Sequence, residues 1–393
     1  MVKNITGAPV RGDDFFDRVK DQRRLWRALE NDSVLLLAPR RVGKTSLLQR
    51  LEDTAIQHGF KALYCSVAAQ KTEVEFFKVL YETLEAHPDG RAAITGLLDG
   101  PLKAFFKRVK KVTAGGMGLE FNTDEVVEWR TMAKGLEQAL NMIKGQWLWM
   151  VDELPLFILN LLDAEGGRDR ARTFLNWFRD LRIDRALQPR TRWLLAGSIG
   201  LDTVTRRERM GDTINDLNVV WLGAFSEEDA HVFLEQLGRQ YQLALPEEVR
   251  QDICDRIGWL IPYHLQILFY RLRAYCEDED MAPSLEAVRH AYAELMDHQH
   301  RNYFSYWQER LEDELGPELA RSAEVILSVI APHARGVSLD GLKAALQSHP
   351  MSPGTLAYLK DVLISDGYLA ESEGRYLFRS HLLRDYWTTR VLS

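Results

Sequence analysis

The amino-acid sequence predicts an α/β protein: a parallel sheet flanked by helices, continued by two helix-rich segments. Two observations carry that class. Five short apolar runs, VLLL (34–37), ALYCSV (62–67), WLWMV (147–151), WLLA (193–196) and VVWL (219–222), are each bounded by turn or helix signals. Between them lie amphipathic segments such as EVEFFKVLYETLEA and RTFLNWFRDLRI, whose apolar residues recur at three and four, the period of a helix with one buried face. Near-continuous apolar strands alternating with helices are the pattern of a parallel sheet covered on both faces, so residues 1–224 read as one α/β domain.

After Phe225 the strand-like runs stop. SEEDAHVFLEQLGRQY, PEEVRQDICDRIG, IPYHLQILFYRLRAY and LEAVRHAYAELMDHQHRNYFSYWQERL are all helical by period. The first two open with acidic residues after Ser or Pro, as helix N-termini do. Residues 225–316 therefore form a helical domain. From Pro317 the pattern changes to a helix over LARSAEVILSVIAPH, a short helix over SLDGLKAAL and a third over PGTLAYLKDVLISDG. YLAESEGRYLFRS then alternates about SEGR like a hairpin, and HLLRDYWTTRV closes as a terminal helix. Three helices plus a hairpin is the order of a winged helix-turn-helix, assigned to residues 317–393.

With 46% apolar residues in a chain of 393, each of these domains has enough to bury. The net charge of -7 argues against wholesale coating of nucleic acid or of an acidic membrane, and leaves only local basic contacts. MVKNITGAPVRGDDFF has no apolar signal core, and no stretch approaches the roughly 20 apolar residues of a membrane helix, so the expected location is cytoplasmic with no membrane partner. The three cysteines, Cys65, Cys254 and Cys276, show no CxxC or Cys/His spacing. Cys65, in an apolar strand, is expected to be a core residue.

The first apolar strand runs into APRRVGKT, which matches GxxxxGK[ST] except at its first position, where Ala38 replaces glycine. A leucine-rich helix follows. Strand, loop and helix start together let backbone N–H groups of Ala38, Arg40, Arg41, Val42, Gly43, Lys44, Thr45 and Ser46 converge on one anion, with Pro39 shaping the loop but bringing no N–H, as a phosphate-binding loop does. Lys44 would reach the β/γ-phosphates of ATP and the Thr45 hydroxyl would hold Mg²⁺. Ala38 bears on the backbone angle at the start of the loop, leaving the Gly43-Lys44-Thr45 chemistry intact. Such a loop needs a carboxylate at the end of a neighbouring strand to orient hydrated Mg²⁺, and WLWMVDE supplies Asp152 there. Glu153, adjacent, is the candidate base for the attacking water. The fourth run ends WLLAGSIG, which leaves Ser198 at a strand's carboxyl end, where a hydroxyl can hydrogen-bond the γ-phosphate or the water.

With these motifs in this order the chain resembles the AAA+/STAND branch of P-loop ATPases, and more closely the prokaryotic archaeal-type ATPase family. The matching stretches are DDFFDRVKDQRRLWRAL, APRRVGKTSLL, WMVDEL, LLAGSIG, LGAFSEEDA, IGWLIPYHLQIL and YLFRSHLLRDYW, spread over nearly the whole chain. The resemblance implies a five-stranded sheet ordered 5-1-4-3-2 with the Ser198 strand between the other two, a helical lid and a winged helix. It also implies that the segment around Phe16 and Arg18 lies near the adenine. The family's Gly-Arg-Glu box reads Asp17-Arg18-Val19 here, so only the arginine carries over. Gly258 and Pro262 match the lid's glycine and proline in type, with looser spacing than GGxP. Oligomerisation on ATP binding and coupling to a protein partner are further implications. TRRERM offers Arg206, Arg207 and Arg209 as candidates for an arginine acting on a neighbour's phosphate, with none preferred; a solvated basic turn accounts for the cluster as well.

The C-terminal segment carries little electrostatic footprint for DNA. From Arg321 to Ser393 there are 8 Lys/Arg against 7 Asp/Glu, and the third helix has one lysine against two aspartates. An interaction or autoinhibitory role is favoured over an ATP-gated DNA-binding regulator. PLKAFFKRVKK (101–111) is read as a solvated helix face with its phenylalanines in the core, the alternative being a nucleic-acid or partner surface. HQHRNYFSYW (298–307) is read as packing between lid and winged helix.

Overall fold

A computed structural model describes residues 2–16, 18–97, 125–197 and 200–392. It divides into two compact units, a sheet unit of Arg18–Leu37 and Leu47–Trp221, and a helical unit of Met1–Asp17, Ala38–Ser46 and Leu222–Ser393. The basic run 101–111 lies outside the described residues.

The sheet unit is built on β1 (Val34–Leu37), β2 (Phe60–Ser66), β3 (Gln146–Asp152), β4 (Thr191–Gly197) and β5 (Asn218–Trp221). All pair in parallel, in the order β2-β3-β4-β1-β5. Read from the other edge this is 5-1-4-3-2, with β4 separating β1 from β3. Leu37 pairs with Gly197, Val151 with Leu195, and Ser66 with Asp152, so these strands end together at one edge. The apolar runs become strands because every residue of β1 and of Trp147–Val151 is buried. Trp149 and Trp193 stack across β3 and β4 with centroids 5.3 Å apart. Helices Glu73–Ala86, Leu154–Leu162 and Gly167–Ile183 bring Phe76, Phe157 and Phe174 together at 4.8–5.1 Å. Buried Arg182 forks onto Asp216 with two bonds of 2.8 Å, and Arg170 pairs with buried Glu73.

β5 departs from a sheet covered on both faces: Val219 is 49% and Trp221 42% exposed. It has β1 as its one sheet neighbour, and its apolar composition reads the same whether a strand is central or at an edge.

In the helical unit, helices Glu227–Gln240 and Leu285–Leu295 start at Ser226 and Ser284, whose hydroxyls accept from Asp229 and Ala287 N–H at 3.1 and 3.2 Å. Glu247–Ile257 and Pro262–Asp278 lie between them. The long helix expected from Leu285 through Leu311 is instead broken after Leu295 by a 3-10 turn, His298–Tyr303. The helix expected from Leu319 is the continuation of Ser305–Ile330, kinked where Gly316 takes φ 74°, ψ 164°. Glycine tolerates that angle, and Pro317 after it brings no N–H to the helix ladder.

Beyond Ile330 come β6 (Val337–Ser338), helices Leu339–Ala345 and Pro353–Ser365, then β7 (Leu369–Ser372), β8 (Arg375–Phe378) and helix His381–Tyr386. β6, not expected, joins the hairpin in an antiparallel sheet ordered β6-β8-β7. The hairpin turns on Glu373 and Gly374, both at positive φ, as a two-residue primed turn requires. The terminal helix is shorter than expected, giving way after Tyr386 to a π turn over Trp387–Val391. Phe304, Tyr306 and Trp307 are buried. The Tyr368 hydroxyl donates to the Trp307 carbonyl at 2.6 Å, and buried Arg310 pairs with buried Asp366 at 3.2 Å.

The thiols of Cys65, Cys254 and Cys276 are unbridged and buried. Among the described residues no helix is long and apolar enough to cross a membrane.

Candidate functional site

β1 ends at Leu37, and the chain passes through Ala38–Gly43 into helix Lys44–Thr54. Arg41 (φ 66°) and Gly43 (φ 93°) are both left-handed. Left-handed residues interleaved with ordinary ones turn successive N–H groups to one side, forming an anion-binding nest at a helix N-terminus. Ala38 is not among the positive-φ residues, so its methyl group is accommodated where the motif has glycine. Val42, Lys44 and Ser46 are buried. The Ser46 hydroxyl accepts the Val10 N–H at 3.0 Å, which ties the N-terminal segment to the start of the helix.

The loop arginines reach the helical segment. The Arg41 guanidinium lies 4.6 Å from the ring centre of Tyr263 and 5.3 Å from that of Tyr306. Arg40 is 3.8 Å from Asp313. Tyr263 follows Pro262, the first residue of its helix. Burial holds both phenols above their ordinary pKa, with Arg41 opposing, so both rings stay neutral and present π faces to the cation. His264, beside them, is fully buried, and burial pushes its pKa down to about 3, with a backbone hydrogen bond at Trp259 opposing.

In the sheet unit, β3 delivers Asp152, 2% exposed, at its carboxyl end. One carboxylate oxygen accepts from the Tyr64 hydroxyl at 3.3 Å and the other from the Glu153 N–H at 3.0 Å. Glu153 is left-handed (φ 61°) immediately before helix Leu154–Leu162, a conformation costing an L residue roughly 1–2 kcal/mol. Strain of this kind gathers at functional positions. Burial first, then Asp152, holds the Tyr64 phenol above its usual pKa, and the same two causes push the Cys65 thiol up to about 12.

The loop residues thus cluster with the helical unit, whereas Asp152, Glu153 and Arg18 belong to the sheet unit. Arg18, left-handed and buried, pairs with Asp21 at 3.1 Å. Phe16 meets Phe225 and Phe233 at 5.4 and 5.1 Å. Ser198 and Asp17 lie outside the described residues; β4 is described as far as Gly197. Arg206 pairs with Asp202 at 3.9 Å and Arg207 with Glu208 at 2.9 Å, both local contacts.

Three site residues escaped the sequence reading: Tyr64, Tyr263 and Tyr306. Tyr64 had a signal, a phenol inside the otherwise apolar ALYCSV run, two residues before the Ser66 that pairs with Asp152. Tyr263 and Tyr306 had none, because more than 200 residues separate them from the loop.

A parallel five-stranded sheet with a phosphate-loop motif after its first strand defines an α/β fold of the P-loop type. Solved structures share it. The chain matches a Walker-type ATPase of Pyrococcus abyssi at 17% identity and TM-score 0.59, over 98% of this chain and 99% of that one. It also matches the ORC2 protein of Aeropyrum pernix, solved as ADPNP–ADP complexes, at 14% identity and TM-score 0.56, over 97% and 98%. At these identities the likeness is one of fold. No protein-family model matches the chain, and no curated protein matches it by sequence.

Proposed function

We propose that this chain is an AAA+/STAND-like ATPase that binds and hydrolyses Mg-ATP and uses the nucleotide state as a conformational switch coupled to a protein partner. The observation that carries this is the pair of left-handed residues, Arg41 and Gly43, in a loop that leaves β1 at the sheet edge where β3 ends in Asp152. Loop N–H groups from Ala38 through Ser46, apart from Pro39, would cradle the phosphates, and Lys44 would neutralise the β/γ oxygens. The donor set suits magnesium: the Thr45 hydroxyl and the buried Asp152 carboxylate are hard oxygen ligands, and the Tyr64 bond orients that carboxylate. Bound Mg²⁺ supplies charge neutralisation on the phosphates.

Glu153 would take the proton of the attacking water, and Ser198 would hydrogen-bond the γ-phosphate. Arg18 and Pro262 would flank the adenine. The proposed domains are the ATPase core 1–224, a lid 225–316 and a winged helix 317–393, for which the helix, strand, helix, helix, hairpin order offers support. Neighbours of this fold that are Walker-type or nucleotide-complexed support the nucleotide assignment, and assembly into homo-oligomers on ATP binding belongs to the same proposal. The C-terminal charge balance gives DNA gating through the winged helix no comparable support.

Glu153→Gln is expected to retain ATP in equilibrium binding while turnover falls at least a hundredfold, the scale of general acid–base catalysis. Phosphate release at the parent rate by that variant would remove Glu153 from the chemistry and, with unchanged affinity for Lys44→Ala, the whole assignment.

A further inference from the structure

The sheet unit carries a groove of about 490 Å³ between helix Val19–Leu29 and the segment around residues 50–58. Arg23, Arg27 and Arg50 line it, with Gln22, Thr54 and His58. Charged surface helices ordinarily neutralise themselves with acids three or four residues away. Here that has not happened: among the described residues no carboxylate pairs with Arg23, Arg27 or Arg50, and the acid of this helix, Asp21, is taken by Arg18. Lys20, Arg23, Arg24 and Arg27 are all exposed, in a chain whose overall charge is -7. Glu30 is the acid at the groove.

Three features point to the ligand. Arg23 and Arg27, one helical turn apart, present two guanidinium forks on one face, a geometry suited to phosphate oxygens. Arg50 lines the same groove, and among the described residues its buried Nε has no acceptor, so that nitrogen is not tied to a protein group. The exposed His58 ring stacks on buried Trp26, centroids 4.1 Å apart and 12° from parallel, which fixes a π platform at the rim. Unpaired cations beside an aromatic platform are the combination that single strands use, with backbone on the charges and base on the ring. We propose that this groove binds the sugar-phosphate backbone of single-stranded nucleic acid, with a base stacked on His58. It stands independently of the nucleotide assignment, and its residues belong to the sheet unit.

The test is fluorescence anisotropy with the full chain and a labelled strand of about 20 thymidines, a site length that spans a single-strand platform. Three phosphate contacts predict a log–log salt slope near -2, from about 0.7 per contact on a single strand. Arg23→Glu with Arg27→Glu, and separately Arg50→Gln, should each weaken binding at least tenfold with unchanged circular dichroism, thermal midpoint and ATP turnover. Arg335→Glu with Lys343→Glu, in the C-terminal module, should bind like the parent. The idea is overturned by binding that ignores salt, by loss confined to the Arg335/Lys343 variant, by a matching duplex that binds as tightly, or by a polyglutamate peptide that displaces the strand.

Discussion

Replacing Arg41 by alanine separates two forces that act on the phosphate loop. The guanidinium is exposed, so its contacts with Tyr263 at 4.6 Å and Tyr306 at 5.3 Å are each expected to contribute about 0.5–1 kcal/mol, the range for exposed cation–π pairs. Arg41→Ala loses both, about 1–2 kcal/mol, and keeps the left-handed penalty at φ 66°. Arg41→Gly loses the same contacts but sheds that penalty of roughly 1–2 kcal/mol, less the roughly 0.4–1 kcal/mol that glycine's unfolded-state freedom takes back. The glycine variant should therefore recover about half of the alanine deficit in urea denaturation. Amide exchange across helix Pro262–Asp278 should quicken equally in both, since both have lost the stacking. An alanine variant as stable as the parent would show that the stacking contributes nothing. A glycine variant no better than alanine would show that the loop is not left-handed in solution.

Two further outcomes follow from buried charge. Arg310→Leu strands Asp366, 3% exposed, without its 3.2 Å partner, and should cost about 3–5 kcal/mol in urea denaturation; adding Asp366→Leu should restore most of it, because an apolar pair replaces a buried ion pair at little cost. His264 titrates near 3 in the folded chain and near 6.5 unfolded, so below pH 6.5 the unfolded state binds the extra proton. The stability His264 allows at neutral pH is lost as pH falls from 6.5 towards 3, by about 2 kcal/mol at pH 5. His264→Leu should flatten that part of the profile of urea midpoint against pH.

The parts of this fold written in local pattern were legible. β1, β3 and β4 are contiguous apolar runs, and APRRVGKT and WLWMVDE place a strand-to-helix loop and a strand-end carboxylate within a few residues. What escaped depends on partners distant in sequence. β6 is two residues long and exists because Val337 pairs with Tyr376. Gly316-Pro317 has the composition of a helix stop, yet helical structure resumes at once because Leu315, Ala320 and Ala323 are all buried. VVWL has the same composition as the buried strands; the order 5-1-4-3-2 that the resemblance implies already puts it at an edge, and what its apolar pattern hid is the exposure of Val219 and Trp221. By sequence the loop's two arginines are not needed to cradle phosphates, which leaves the helical segment or a neighbouring subunit for them to face; the particular rings that hold Arg41, from residues 263 and 306, are not legible there.

The three buried thiols give the molecule a chemical record of its own opening. A thiolate is the reactive form, and burial pushes Cys65 and Cys254 each up to about 12 and Cys276 above its ordinary value. Cys65 belongs to the sheet unit, Cys254 and Cys276 to the helical one. An alkylating reagent therefore marks a cysteine when its surroundings part, and the position of the mark names the unit that opened.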